Sequence, residues 1–141
     1  MKATRTLLAT LLAAWFACTA HADINVGVIL PLTGPTSALG IASKNSIALW
    51  PTSIAGQKLN IIMMDDATDP TQASKNARRM VTENQVDILL GSSSTPTANA
   101  VAAVAAETGT VQLTFAPIDV STAKSPWSYN LPQSTLVLVG E

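Results

Sequence analysis

Gly91-Ser92-Ser93-Ser94-Thr95-Pro96 sets three serine hydroxyls and that of Thr95 between a glycine and a proline able to open a helix. A hydroxyl has one proton to donate and lone pairs to accept with, and the first N–H groups of a helix have no partner within it. Together they form a cradle for a carboxylate or a phosphate. The same residues also have a purely structural use, in which Ser94 or Thr95 caps the helix and the others face water. A second candidate is the acidic cluster Asp65, Asp66 and Asp69. Carboxylates at a strand end suit a hard cation such as magnesium. However, Asp69-Pro70-Thr71-Gln72 also reads as a helix start, with Asp69 as N-cap and Pro70 in the first helical position. The cap is favoured, Asp65-Asp66 orders the loop, and no metal is expected.

The rest of the composition removes most other chemistry. The chain has 141 residues, 48 % of them hydrophobic and 12 % charged, with net charge −1. That is one domain's length, it is not a disordered composition, and without a basic run it offers no nucleic-acid footprint. The lone Cys18 and the lone His21 both fall in the first 22 residues. Those residues begin with Lys2 and Arg5, run nearly unbroken apolar over 7–17, and end in Ala20-His21-Ala22 before Asp23. This is the layout of a secretory signal peptide. Its apolar run covers only ~16 Å as a helix, short of a ~30 Å bilayer core. Bulky Trp15 and Phe16 argue against Cys18 as a lipid acceptor.

The expected organisation is a leader over 1–22 and a mature chain over 23–141, which has net charge −3 and neither His nor Cys. Ser-His-Asp and Cys-His catalysis, zinc and disulfides are thereby excluded from the mature chain. No Gly-x-Gly-x-x-Gly follows the first strand and no Gly-x-x-x-x-Gly-Lys-Ser/Thr occurs, so no nucleotide cofactor is expected.

The elements that must carry the serine run and the acidic cluster alternate between two periods. Apolar, β-branched runs over 24–30, 59–64, 86–91 and 111–115 predict strands. Residues 38–49, 70–84 and 95–108 predict helices, the last ended by Gly109. Strand–helix alternation of this kind predicts an α/β fold: a parallel sheet with helices on both faces. Ligands of such sheets bind beyond the carboxyl ends of the strands. Those ends are Pro31-Leu32-Thr33-Gly34, Asp65-Asp66-Ala67-Thr68, Gly91-Ser92-Ser93-Ser94 and Ala116-Pro117-Ile118-Asp119.

Three stretches carry a family resemblance: residues 26–35 (Val-Gly-Val-Ile-Leu-Pro-Leu-Thr-Gly-Pro), 65–73 (Asp-Asp-Ala-Thr-Asp-Pro-Thr-Gln-Ala) and 91–96 (Gly-Ser-Ser-Ser-Thr-Pro). In order and spacing the chain resembles the branched-chain amino-acid-binding (Leu/Ile/Val-binding) family, the periplasmic solute receptors of ATP-driven (ABC-type) importers. The resemblance implies a periplasmic-binding-protein-like type I fold, two-lobed and closing on a small ligand that a membrane permease receives, with no catalytic activity. It implies that residues 23–141 form a truncated N-terminal lobe. Carried over residue by residue, it makes Ser92 and Ser93 donors to the ligand's carboxylate, with backbone groups of Ala116 and Ile118 facing its amino end. Leu39 before Gly40, and Ile118-Asp119 after Pro117, stand where amino-acid binders often carry an aromatic and a threonine. The ligand expected is therefore broad, an amino acid or a similar small organic acid. A sensory or regulatory ligand-binding domain of the same fold is the alternative function.

Export and cleavage after Ala22 predict a mature N-terminus at Asp23. Mass spectrometry of the periplasmic fraction reads this directly; a retained Met1 or a lipid on Cys18 would contradict it.

Overall fold

Isoleucine, valine and leucine runs pair edge to edge in the computed structural model, which describes residues 23–120 and 125–132. The order is β1 (Ile24–Leu30), α1 (Ser37–Ile47), β2 (Ser53–Ile54), β3 (Gln57–Asp65), α2 (Pro70–Thr82), β4 (Ile88–Gly91), α3 (Thr95–Thr108), β5 (Val111–Thr114) and β6 (Ser128–Asn130). One sheet holds all six strands in the order β2-β3-β1-β4-β5-β6. Its pairs are parallel except β2 with β3, a two-residue antiparallel ribbon. The sheet is therefore mostly parallel rather than wholly so. The expected leader over 1–22 lies outside the described residues.

Both faces of β1 are used. Ile29 and Leu89 pack against Ala73, Ala77 and Met80 of α2 and Val101 and Val104 of α3. Gly27 permits the close approach of α2, since a Cβ there would lie 2.8 Å from the Met80 sulfur. Val26, Val28, Leu30 and Leu90 face the other way and meet Ile47 of α1. That second face is covered less completely: an apolar groove of about 430 Å³ opens over it, lined by Ile24, Val26, Trp50, Ile54, Leu59 and Leu90 among others. α1 also stops at Ile47, two residues short of the sequence expectation, and Ala48, Leu49 and Trp50 close it as turns onto Lys44, Ser46 and Ile47. No helix among the described residues is long and apolar enough to cross a membrane.

From β1 the chain moves outward to β3 and then returns across β1 to β4. The direction of winding thus reverses between β1 and β4, which opens a crevice beyond their carboxyl ends. Asp65 organises one side of it. Its Oδ1 accepts from the N–H groups of Leu32 (2.8 Å), Thr33 (3.2 Å) and Ala67 (2.8 Å), and its Oδ2 accepts from Thr33 Oγ1 at 2.6 Å. Partial burial raises the Asp65 pKa, but these hydrogen bonds to the charged form outweigh it and the net shift is downward. Thr36 and Thr68 join the same two loops through their hydroxyls, 2.9 Å apart.

α2 starts as its sequence predicts, with Asp69 Oδ1 accepting from Thr71 N at 2.8 Å and Pro70 next to the cap. Gln72 does not return to the cap; its Nε2 donates to Asn76 Oδ1.

The Asp69→Ala variant is expected to lose ~1 kcal/mol of stability through loss of this cap, read by chemical denaturation. Asp65 makes a pH prediction. Its pKa is lower in the folded chain than the ordinary 3.8, so its contribution is full above that value and is lost as pH falls through the folded pKa. An Asp65→Asn variant should be less stable than the parent at pH 7, and the gap should narrow below pH 3.8, measured by thermal unfolding against pH.

Candidate functional site

The carboxyl end of β4 turns sharply at Gly91, whose φ of +100° favours glycine and where any Cβ would collide with the Ile29 carbonyl oxygen. The Gly91–Ser92 peptide is cis. A buried Gln112 on β5 braces this turn. Its Nε2 donates to Gly91 O (2.8 Å) and Ala98 O (3.2 Å), and its Oε1 accepts from Ser128 Oγ at 2.7 Å. The serine run is thus presented at the mouth of α3 by groups on three elements.

The four hydroxyls after Gly91 have four different fates. Ser92 is 0 % exposed, and its Oγ donates to Asp66 Oδ2 at 2.5 Å. Its carbonyl accepts from Phe115 N at 3.2 Å. Ser93 Oγ is buried and has no hydrogen-bond partner among the described residues. Ser94 occupies the N-cap position of α3, yet its Oγ pairs with Thr97 Oγ1 at 2.6 Å rather than with a backbone N–H. Thr95 Oγ1 donates to Pro117 O at 3.2 Å, fastening α3 to the loop after β5.

That loop is itself held in place. Ala116 N donates to Thr114 Oγ1 (3.0 Å), and Thr114 Oγ1 donates to Ala116 O (2.9 Å). Asn130 grips Ile118 from both sides: its Oδ1 accepts from Ile118 N at 3.2 Å and its Nδ2 donates to Ile118 O at 2.8 Å. The side chains of Ala116 and Ile118 pack against Ala98 and Ala102 of α3. Ser92, Ser93, Ala116 and Ile118 therefore do come together around the first turn of α3. The Ser92 hydroxyl and carbonyl and the N–H and C=O groups of Ala116 and Ile118 are already engaged, whereas the Ser93 hydroxyl has no partner among the described residues.

Sequence reasoning treated Asp66 as a loop acid. It is 0 % exposed and lies at the centre of the arrangement. Its Oδ1 accepts from Thr68 N at 2.8 Å while its Oδ2 holds Ser92. Burial pushes its pKa up, the Asp65 and Asp69 charges add to this, and the bonds from Ser92 and Thr68 oppose it. Gln112, Thr114 and Asn130 also went unnoticed. Gln112 carried a usable signal, as a polar residue between Val111 and Leu113 in a strand expected to be buried on both faces.

Chemically, the mouth of α3 holds neutral donors, with a helix N-terminus behind them. No cluster of three metal-ligating His, Cys, Asp or Glu occurs among the described residues. Donors of this kind at a helix N-terminus are able to hold an anion.

A family model for periplasmic binding proteins matches residues 23–136. The Leu/Ile/Val-binding protein BraC3 of Rhizobium johnstonii is 36 % identical in an alignment 117 residues long that covers 78 % of this chain and 32 % of that protein. An extracellular ligand-binding receptor from Rhodopseudomonas palustris HaA2 superposes with a TM-score of 0.77 at 40 % identity, over 79 % of this chain and 31 % of its own. A solute-binding protein of an ABC transporter from R. palustris BisB5, in complex with 3,4-dihydroxybenzoic acid, superposes with a TM-score of 0.68 at 27 % identity, over 77 % of this chain and 31 % of its own. The chain spans about a third of the length of these relatives. With matching sequence over most of its length, and a backbone that superposes on theirs, the chain belongs to the periplasmic binding protein family.

Proposed function

We propose that this chain carries a ligand-binding face of a solute receptor for an ABC-type importer. It would take an amino acid or similar small carboxylate in the periplasm, deliver it to a membrane permease, and catalyse no reaction. The observation that carries the reading is the buried, unpartnered Ser93 hydroxyl at the mouth of α3. A buried hydroxyl without a partner costs stability, and a carboxylate seated there would accept its proton.

In this reading the ligand's carboxylate accepts from Ser93 Oγ and from N–H groups of the turn running from Ser92 into α3. The loop of Ala116 and Ile118 borders the other end of the ligand, where each carbonyl keeps a second lone pair for an ammonium or phenolic donor. Family membership supports the class of ligand. One relative is named for leucine, isoleucine and valine and another holds a dihydroxybenzoic acid, and all of these offer a carboxylate on a small apolar frame.

Calorimetric titration of the chain with leucine, isoleucine, valine and 3,4-dihydroxybenzoate tests the reading. At least one should bind. Ser93→Ala should weaken that binding by roughly ten- to hundred-fold, the cost of one hydrogen bond to a charged group. The empty variant should melt no lower than the parent, because an unpaired buried hydroxyl has been removed. A parent that takes none of the four acids, or a Ser93→Ala variant that binds as tightly as the parent, would refute it.

A further inference from the structure

We propose that Asp66 is the positioning residue of this site: it turns the Ser92 hydroxyl inward and ties the β3–α2 loop to the β4–α3 loop, leaving Ser93 to meet the ligand. The proposal rests on the reading of the α3 mouth as a carboxylate site.

Four atoms of Asp66 are fixed. Its N donates to Leu30 O at 3.0 Å, its O accepts from Asp69 N at 2.8 Å, and its two carboxylate oxygens take Thr68 N and Ser92 Oγ. It thus touches the end of β1, its own loop and the turn after β4, the three segments that border the crevice. A serine hydroxyl has a single proton, and that of Ser92 is given to Asp66. Towards anything beyond, Ser92 Oγ offers only lone pairs, which repel a carboxylate. Ser93 has no such commitment.

The carboxylate's two partners also determine the effect of the Asp66→Asn substitution. Thr68 N–H can only donate, so the oxygen of the new amide would face it. The amide nitrogen would then face Ser92 Oγ and donate to it. The loops stay tied, but the Ser92 proton is released.

The experiment compares Asp66→Ala, Asp66→Asn, Ser92→Ala and the double variants in the 141-residue chain. In the empty chain, amide hydrogen exchange at Ser93, Ser94 and Thr95 should quicken about tenfold or more in Asp66→Ala, relative to amides in the middle of α2, and stay near the parent rate in Asp66→Asn. With the binding acid from the panel above, Asp66→Ala and Ser92→Ala should each lose affinity. Their double variant should be no worse than the weaker single one, because both break the same tie. In the Asp66→Asn background, Ser92→Ala should cost about tenfold, because Ser92 then donates to the ligand. Unchanged exchange in Asp66→Ala, or losses that add, would overturn the proposal. If Asp66→Ala does not fold, exchange in Ser92→Ala decides, since it cuts the same bond. If the parent binds none of the acids, the carboxylate reading fails while the exchange measurement still decides whether Asp66 positions the turn.

Discussion

Two neighbouring carboxylates at the end of β3 hold the crevice loops in register, and they do so from opposite environments. Asp65 reaches partly exposed backbone and takes four donors from the loops after β1 and β3. Asp66 turns the other way, into the protein, and takes Thr68 N and Ser92 Oγ. Adjacent strand residues point to opposite faces, so a doublet of one residue type can serve two loops at once. The same split explains why one carboxyl is held below its ordinary pKa and the other pushed above it. Asp65 has enough donors to favour its charge. Asp66, fully buried, has two.

Nearly every buried polar group of the region follows the same rule. Gln112 and Thr114 of β5 and Asn130 of β6, together with the exposed Thr95 of α3, each fasten the turn after β4 or the loop after β5 with hydrogen bonds of 2.8–3.2 Å. Leaving such groups unpaired inside the protein is expensive, so the loops have little freedom once these partners are met. The Ser93 hydroxyl stands out against that background because its surroundings are otherwise paired. Asn84 Oδ1 is the other buried side-chain atom without a partner among the described residues, and it lies after α2, in the link leading into β4.

The fold was legible because its signals are periodic and local. Runs such as Val28-Ile29-Leu30, the Asp69-Pro70 start and the Gly109 stop each act within a few residues. β2 and β6 escaped for a physical reason. They hold two and three residues, Ser-Ile and Ser-Tyr-Asn, too few for a period to show, and pairing with β3 and β5 defines them. The location of the serine run at a strand end follows from strand–helix alternation alone. The direction of the Ser92 hydroxyl does not, because its partner lies 26 residues earlier, just past the end of β3. Only once β1 is known to lie between β3 and β4 do Asp66 and Ser92 become neighbours across it. Family resemblance supplied positions, and tertiary structure supplied the division of labour among the hydroxyls.

The arginines of α2 are spent on the outside of the fold. Arg78 forms a bidentate pair with Glu107 of α3, and Arg79 pairs with Glu83 at the C-cap of its own helix, all largely exposed. Exposed pairs like these add little stability and are screened by salt. At the mouth of α3 the donors are hydroxyls and amides, with the helix dipole behind them and the buried Asp66 close by. A dianion would meet the repulsion of Asp66 twice over, while a small monocarboxylate needs only one donor set and leaves its frame to apolar contacts. In the proposed reading, neutral donors beside one buried acid would suit a small monocarboxylate better than a phosphate.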